Sequence, residues 1–255
     1  MTLLLIPIYI TVFLFGIVIG SFLNVCIYRI PKKETIVTVP SHCMSCGYQL
    51  KWFDLIPIVS WLCLRGKCRK CGEKISPQYP IIEALNGAMY VWIFIHFDMD
   101  LIPSILYCLL ASALLVLSVI DFRTYEIPFG INIFIAVLGL MHMCFDISHW
   151  STYVIGFFVV SGVLELLLLI SKGRAIGGGD VKLMAAAGLF LGWKQIILAF
   201  ALACIIGSVI HLLRMRIAGE GKTLAMGPYL SMGIIIAALY GQRMIDWYFG
   251  LLMGA

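Results

Sequence analysis

The sequence KGRAIGGGDVK, from Lys172 to Lys182, lies between two long apolar runs. A single carboxylate in it, Asp180, follows three consecutive glycines. Because glycine has no Cβ, this backbone can bend sharply and another chain can approach it closely. The apolar run that follows is predicted to be helical, since a backbone in lipid must satisfy its own hydrogen bonds. The stretch therefore places an acid at the start of a membrane helix, where it is either a functional group or a helix cap.

The composition of the whole chain is that of a polytopic membrane protein. Its 255 residues are 62% hydrophobic and only 12% charged, whereas a soluble domain is about half apolar and about a quarter charged. The net charge is +5. In a membrane protein the positions of Lys and Arg set the orientation, so we interpret this charge as a guide to topology and predict no nucleic-acid partner.

About eight apolar runs are long enough, or nearly so, to cross the ~30 Å hydrocarbon core of a lipid bilayer. They cover residues 3–28, 80–98, 102–120, 128–146, 151–171, 181–193, 195–213 and 226–247. The predicted fold is therefore an all-α membrane bundle of about eight transmembrane helices. We divide the chain into a first transmembrane helix (1–28), a cytoplasmic four-cysteine loop (29–79) and a helical bundle that carries the acids (80–255).

The distribution of cations predicts the orientation of these helices. If the runs alternate in direction, the loops at 29–79, 121–127, 172–180 and 214–225 share one side of the membrane. Of the 18 Lys and Arg residues, all but Lys194 and Arg243 lie on or next to that side. By the positive-inside rule those loops are predicted to be cytoplasmic, and both chain ends to face outward.

The loop between the first two apolar runs contains two CxxC pairs. They are formed by Cys43 with Cys46 and by Cys68 with Cys71, and 21 residues separate the pairs (47 to 67). This spacing is typical of a tetrahedral four-cysteine zinc site. Disulfides are disfavoured because the loop is predicted to lie in the reducing cytoplasm. The zinc is expected to be structural, since four thiolates leave no open position for a reacting water.

Two acids lie at the same predicted depth. Asp121 ends the third apolar run at the cytoplasmic side, and Asp180 begins the sixth run at that side. If they pack together, one can hold a proton while the other is ionised, which is the arrangement used for aspartic proteolysis. Three alternatives stay open at this point: each Asp caps a helix, the acids form a proton or cation relay, or the chain is a zinc-loop scaffold.

Six motifs, in order along the chain, make it similar to the type IV prepilin peptidases, which are GxGD-type membrane aspartic proteases. The motifs are GSFLNVCIYRIP (20–31), the two CxxC pairs, IPIVSWLCLRGKCRKCG (56–72), YPIIEALNG (79–87), DFRTYEIP (121–128), and GGGDVK (177–182) with GPY (227–229). The resemblance covers nearly the full length of the chain.

The resemblance implies a specific site and substrate. Asp121 and Asp180 match the two catalytic aspartates, Gly177 and Gly179 match the glycines of GxGD, and Lys182 belongs to the same active-site loop. The expected partners are membrane lipid and prepilins or pseudopilins that carry a short basic leader before an apolar segment. Cleavage is expected after a Gly, at the cytoplasmic face of the bacterial inner membrane.

The resemblance also implies N-methylation of the new N-terminal residue, with S-adenosylmethionine as the methyl donor. The sequence has no GxGxxG after a strand, so this cofactor rests on the resemblance alone. Asn24, Arg29 and Glu83 are polar residues that border the cysteine loop and match family motifs. We predict that they line the methyltransferase site, the alternative being that they anchor helix ends at the membrane interface.

Overall fold

The chain is described here by a computed structural model that covers residues 2–173, 176–218 and 224–253. These residues form nine α-helices, with two short 3-10 turns and two isolated β-bridges. Apart from these bridges, the described ranges contain no β-strand, so the predicted all-α class is confirmed. Arg174 and Lys222, two of the cations used to predict topology, lie outside the described residues.

Each of the eight apolar runs contains one long helix. The helices are α1 (Thr2–Arg29), α2 (Val59–Cys63), α3 (Gln78–His96), α4 (Leu101–Thr124), α5 (Phe129–Phe145), α6 (Trp150–Ile170), α7 (Gly178–Leu191), α8 (Trp193–Ala218) and α9 (Gly227–Met253). The short helix α2 lies in the cysteine loop. The sixth run starts earlier than predicted, because α7 already begins at Gly178 and so includes Asp180 in its first turn.

Among the described residues, four helices are long and apolar enough to cross a membrane, namely α1, α4, α6 and α8. Helix α5 is apolar but shorter. These helices make the chain a membrane protein. That α3, α5, α7 and α9 also cross the bilayer stays a prediction.

The chain divides into two compact units, Met1–Ser112 and Ala113–Ala255. In the first, α1 packs along α3. A buried polar group joins them, because the Asn86 amide of α3 donates to the Gly16 carbonyl of α1 at 2.7 Å. The Ser112 hydroxyl of α4 donates to Asn86 Oδ1 at 2.9 Å. Polar side chains within apolar helices need such partners, and Asn86 thereby links α3 to both α1 and α4.

Helix α7 occupies the core of the second unit. It packs against α5, α6, α8 and α9, and Leu183, Met184, Ala187 and Phe190 on it are fully buried. A helix enclosed in this way is held firmly, so the position of Asp180 in its first turn is well defined. The division into a first helix, a loop and a bundle, by contrast, remains a prediction.

Candidate active site and metal centre

Asp121 lies near the end of α4 and is only 5% exposed. Its Oδ2 accepts a hydrogen bond of 2.8 Å from the backbone N–H of Gly227, the first residue of α9. The first N–H groups of a helix have no partner within the helix, so Asp121 caps α9 from a distant part of the sequence. A Cβ on residue 227 would lie 2.7 Å from Oδ2, and hence only glycine fits there.

Asp180 lies in the first turn of α7, after the extended residue Gly177. The Asp180 N–H donates to the Gly177 carbonyl at 3.1 Å. A Cβ on Gly177 would lie 3.1 Å from Asp180 Oδ2, so the carboxylate folds back against the backbone that precedes it. Unlike Asp121, Asp180 is only half-buried.

The structure brings these two acids together within the second unit. Asp121 comes from α4 and Asp180 from α7, and the two carboxyl groups are close enough for the charge of one to act on the other. Two neighbouring carboxyl groups do not both ionise easily, so such a pair tends to share one proton. One protonated and one ionised carboxyl group is the combination that general acid–base hydrolysis requires.

The glycine that precedes Asp180 in α7, Gly179, is contacted by residues that the sequence analysis did not single out. A Cβ on Gly179 would lie 2.9 Å from the Cβ of Ile127, which explains why this position is a glycine. The Asn132 amide contacts the Gly179 carbonyl at 3.5 Å. Asn132 is a polar residue within the predicted apolar run 128–146. Its polarity was the only feature of the sequence that could have pointed to this contact.

Lys182, predicted to belong to the active-site loop, is turned towards an aromatic ring. Its Nζ lies 5.1 Å from the centre of the Phe129 ring. The side chain is exposed. The contact attaches the first turn of α7 to the first turn of α5.

The four predicted metal ligands meet in one cluster. The Sγ atoms of Cys43, Cys46, Cys68 and Cys71 all lie within 4.8 Å of one another, and those of Cys43 and Cys71 are 3.9 Å apart. A Zn–S bond of about 2.3 Å in tetrahedral geometry places sulfur atoms about 3.8 Å apart. The residues present therefore fit a zinc ion.

The two CxxC pairs have matching local structure. In each, the first cysteine donates its N–H to a carbonyl five residues on (Cys43 to Tyr48, Cys68 to Glu73), and its own carbonyl accepts from a glycine. Backbone N–H groups of Cys46 and Ser45 lower the pKa of the Cys43 thiol to about 6. This favours the thiolate form of Cys43, which is the form that binds metal.

A cavity of about 790 Å³ lies beside this cluster in the first unit. Asn24, Arg29 and Glu83 all line it, and so do the metal-cluster residues Cys43 and Cys68. Its volume is within the range of sites for small molecules and cofactors, about 300–1,000 Å³. Two stacked rings also line the cavity, Tyr28 and Tyr79, with centres 5.4 Å apart.

The three polar residues hold the cavity wall through the backbone. Arg29 donates to the carbonyls of Thr35, Val39 and Pro40 at 3.1, 2.7 and 3.3 Å. Asn24 donates to the Tyr79 carbonyl at 3.1 Å.

Glu83 holds a turn of unusual geometry. Its Oε2 accepts the Ile58 N–H at 2.7 Å. Ile58 has φ +61°, in the left-handed region, which is rare and strained for a β-branched residue. The sequence offered no signal for this turn beyond its place in the motif 56–72.

Comparison with known proteins gives two family matches. The family model described as "Bacterial Peptidase A24 N-terminal domain" matches residues 14–97, and the family model described as "Type IV leader peptidase family" matches residues 108–212. No solved structure matches the chain significantly.

Curated relatives match most of the chain. A "Prepilin leader peptidase/N-methyltransferase" of Bacillus subtilis is 32% identical, covering 95% of this chain and 98% of its own. Proteins of the same name from Stutzerimonas stutzeri and Pseudomonas aeruginosa are 30% and 28% identical; the first alignment covers 91% of each chain, and the second covers 92% of this chain and 91% of the relative.

Proposed function

We propose that this chain, which belongs to the type IV leader peptidase family, is a membrane-embedded aspartic endopeptidase that removes the basic leader of prepilins and pseudopilins. The observation that carries the proposal is the meeting of Asp121 and Asp180, each fixed by a backbone contact at the start of a helix. Membership of a peptidase family favours this function over the relay and the scaffold alternatives.

The carboxyl pair supplies the acid and the base of peptide hydrolysis. The ionised member takes a proton from a water molecule, whose oxygen attacks the scissile carbonyl carbon. The protonated member donates its proton to the carbonyl oxygen. When the tetrahedral intermediate collapses, the C–N bond breaks and the leaving amine takes up a proton from the pair. The half-buried Asp180 is open to substrate, whereas the buried Asp121 is held by Gly227.

The proposed setting is the cytoplasmic face of a bacterial inner membrane. The relatives are bacterial proteins, and all but two of the 18 cations lie on or next to the side that carries both acids if the apolar runs alternate. A substrate whose apolar segment lies in the lipid would present its leader at that face. Cleavage after the Gly that ends the leader would leave the apolar segment in the membrane.

N-methylation of the new N-terminal residue is the proposed second activity. S-adenosylmethionine would supply the methyl group that the amine accepts. The cavity lined by Asn24, Arg29 and Glu83 is large enough for it, and the stacked Tyr28 and Tyr79 offer an aromatic surface for a purine. In this proposal the three polar residues shape the cavity through the backbone groups that they hold.

The proposed zinc site is structural. Cys43, Cys46, Cys68 and Cys71 would hold the ion, and the metal would stabilise a loop that has little core of its own. Because Cys43 and Cys68 also line the cavity, the ion would support one of its walls.

The test is cleavage of a prepilin by the purified protein in detergent, with and without S-adenosylmethionine, followed by intact-mass analysis. Asp121→Asn and Asp180→Asn remove one charge each at nearly constant shape. Glu165→Gln, which removes an exposed carboxylate from α6, is the matched control.

We expect wild type and Glu165→Gln to remove a leader-sized mass and both Asp variants to leave the prepilin intact. A gain of one methyl group in the presence of S-adenosylmethionine would support the second activity. Intact prepilin in every sample, with normally folded protein, would overturn the peptidase proposal.

A further inference from the structure

One segment of the cysteine loop, residues 52–62, exposes four large apolar side chains. They are Trp52, Ile56, Val59 and Leu62, with exposed fractions between 41% and 78%, and we call them the apolar patch. Two short helical turns carry most of the segment, the 3-10 turn Trp52–Leu55 and α2. Single exposed apolar residues are ordinary, but several in one segment mark contact with another apolar phase or surface.

The polar side chains of the same segment face the protein. Asp54 is buried and accepts a hydrogen bond of 2.8 Å from Arg69 Nε. Asp54, Ser60 and Trp61 all line the cavity, and Trp61 Nε1 donates to the Ile75 carbonyl at 3.2 Å. The segment is therefore polar inside and apolar outside. This is the reverse of a loop in water, and it is usual where protein faces lipid.

A hydrogen bond fixes the depth of this segment along the membrane helices. The Ile58 N–H donates to Glu83 Oε2 of α3 at 2.7 Å. Glu83 packs against Gly20 of α1, since a Cβ on Gly20 would lie 2.7 Å from the Glu83 Cα. Gly20 precedes the end of α1 at Arg29 by nine positions, which is about 13 Å along a helix. One glutamate side chain thus separates Ile58 from a level well inside α1.

That level lies within the hydrocarbon region of a bilayer. The apolar span of α1, Leu5–Arg29, has 25 residues and is therefore about 37 Å long. The hydrocarbon core is ~30 Å thick, so the span exceeds it by about 7 Å. Even if all of this excess projects on the side of the cysteine loop, Gly20 lies inside the core. The segment beside it is at membrane depth, with its backbone placed against the cavity wall, as irregular backbone in a membrane requires.

The residues around the apolar patch fit a lipid surface. Lys51 and Arg65 are exposed cations on either side of the segment. Such side chains extend from an apolar site to the headgroups, and they attract anionic lipid. Trp52 is the residue type that is enriched at membrane interfaces. Depth and charge therefore favour lipid over a protein as the partner of the patch.

We propose that residues 52–62 are inserted into the membrane without crossing it, with the apolar patch in contact with lipid acyl chains. The cysteine loop is then a partly embedded structure, and one wall of its cavity is attached to the bilayer. The inference does not depend on either proposed activity. It gives the Glu83–Ile58 bond the role of holding the inserted segment on α3.

The test is photochemical labelling of the full-length protein in vesicles of phosphatidylethanolamine and phosphatidylglycerol. An amino acid with an alkyl diazirine side chain is placed at position 62 and, in a second variant, at position 59. Light converts the diazirine to a carbene that reacts with whatever is adjacent. Mass analysis then distinguishes adducts with lipid, water or another protein chain. Zinc content and thermal unfolding show that each variant folds.

Two further positions calibrate the yields. Leu14 is exposed within the apolar span of α1 and represents a side chain in lipid. Val37 is the matched control in the cysteine loop, because it is apolar and exposed but follows the end of α1. It lies between Thr35 and Thr38, whose hydroxyl groups hydrogen-bond to each other at 3.2 Å.

We expect lipid adducts at positions 59 and 62 within about threefold of the yield at position 14, and at least about fivefold above that at position 37. Water adducts at both patch positions would overturn the inference, and so would lipid yields no higher than at position 37. Cross-links to a second copy of the chain in place of lipid adducts would also overturn it and would identify the patch as a protein interface.

Discussion

The backbone N–H of Gly227 donates a hydrogen bond to Asp121 Oδ2 at 2.8 Å, although the two residues are 106 positions apart in sequence. This bond makes the start of α9 a direct partner of the buried carboxylate. It also leaves no space for a side chain, since a Cβ at residue 227 would lie 2.9 Å from the Asp121 Cβ as well as 2.7 Å from Oδ2. The position of α9 and the orientation of Asp121 are therefore set together.

Gly227→Ala is expected to lower peptidase activity by at least about tenfold. The added methyl group must push the Asp121 carboxylate or the first turn of α9 aside, and small misplacements of a catalytic group reduce rates by about 10²-fold. Both groups are held by neighbouring helices, so relaxation is incomplete. The measurement is kcat/KM for prepilin cleavage, with thermal unfolding to show that the variant folds.

Gly162→Ala is the control for this substitution. Gly162 is also a helical glycine of the second unit, and a Cβ there would meet nothing within 4 Å. Alanine at such a position is expected to leave activity unchanged and to stabilise the helix slightly. Equal activity of Gly227→Ala and wild type would contradict the role given to the Gly227–Asp121 contact.

The helices of this protein could be predicted from sequence because lipid allows so few solutions. An apolar run must be helical to satisfy its backbone, and each of the eight runs contains a helix. The start of the sixth run was predicted less accurately. The first turn of α7 contains Gly178 and Gly179, which hydropathy does not mark as helical, so the predicted run begins three residues after the helix does.

Part of the candidate site could also be predicted, because charges in apolar runs and paired cysteines are visible in a sequence. Asp121, Asp180 and the four-cysteine cluster are of this kind. The hydrogen bond from Gly227 and the contact of Asn132 with Gly179 depend on which helices pack side by side. Periodicity carries no information on that packing.

Cys68→Ser is expected to remove bound zinc and to weaken the binding of S-adenosylmethionine by at least about tenfold. Loss of one thiolate opens the coordination shell, and the metal supplies the folding energy of such loops. Cys68 also lines the cavity, so loss of the metal should loosen the cavity wall. The measurements are zinc content by atomic emission and cofactor affinity by calorimetry.

Cys63→Ser serves as the control, since Cys63 is an exposed thiol of the same loop and not a member of the cluster. It should keep both zinc and cofactor. Prepilin cleavage should change much less than cofactor binding in Cys68→Ser, because both acids belong to the other compact unit. Full cofactor binding by a zinc-free variant would refute the proposed support of the cavity by the metal.

Arg29→Lys is expected to loosen the segment that follows α1. The guanidinium holds the carbonyls of Thr35, Val39 and Pro40 at once. A lysine ammonium is a compact point charge and cannot reproduce this fork of donors. We expect trypsin to cleave after Lys32 or Lys33 at least about fivefold faster, because each hydrogen bond to a charged group contributes about 1.5–3 kcal/mol.

The matched change is Arg65→Lys, at an exposed arginine elsewhere in the loop. It keeps the charge and the number of trypsin sites constant. Cleavage after Lys32 or Lys33 should proceed there at the wild-type rate. A wild-type rate in Arg29→Lys would mean that Arg29 acts only through its charge, which lysine keeps. The same acceleration in both variants would mean that the effect is not specific to the hydrogen bonds of Arg29.

The last prediction separates two roles for Glu83. If Glu83 acts by holding the Ile58 N–H, then Glu83→Gln should bind S-adenosylmethionine within about threefold of wild type, since the Gln carbonyl is still an acceptor. Glu83→Ala should lose at least about tenfold, because the strained turn at Ile58 is no longer held. Calorimetry with the purified protein measures both.

Ile58→Gly in the Glu83→Ala background completes the test. Glycine adopts a φ of +61° without strain, so the turn no longer depends on the carboxylate and part of the lost affinity should return. If instead Glu83→Gln binds as poorly as Glu83→Ala and Ile58→Gly restores nothing, the negative charge itself is required. Glu83 would then contact the cofactor directly, and its bond to Ile58 would be secondary.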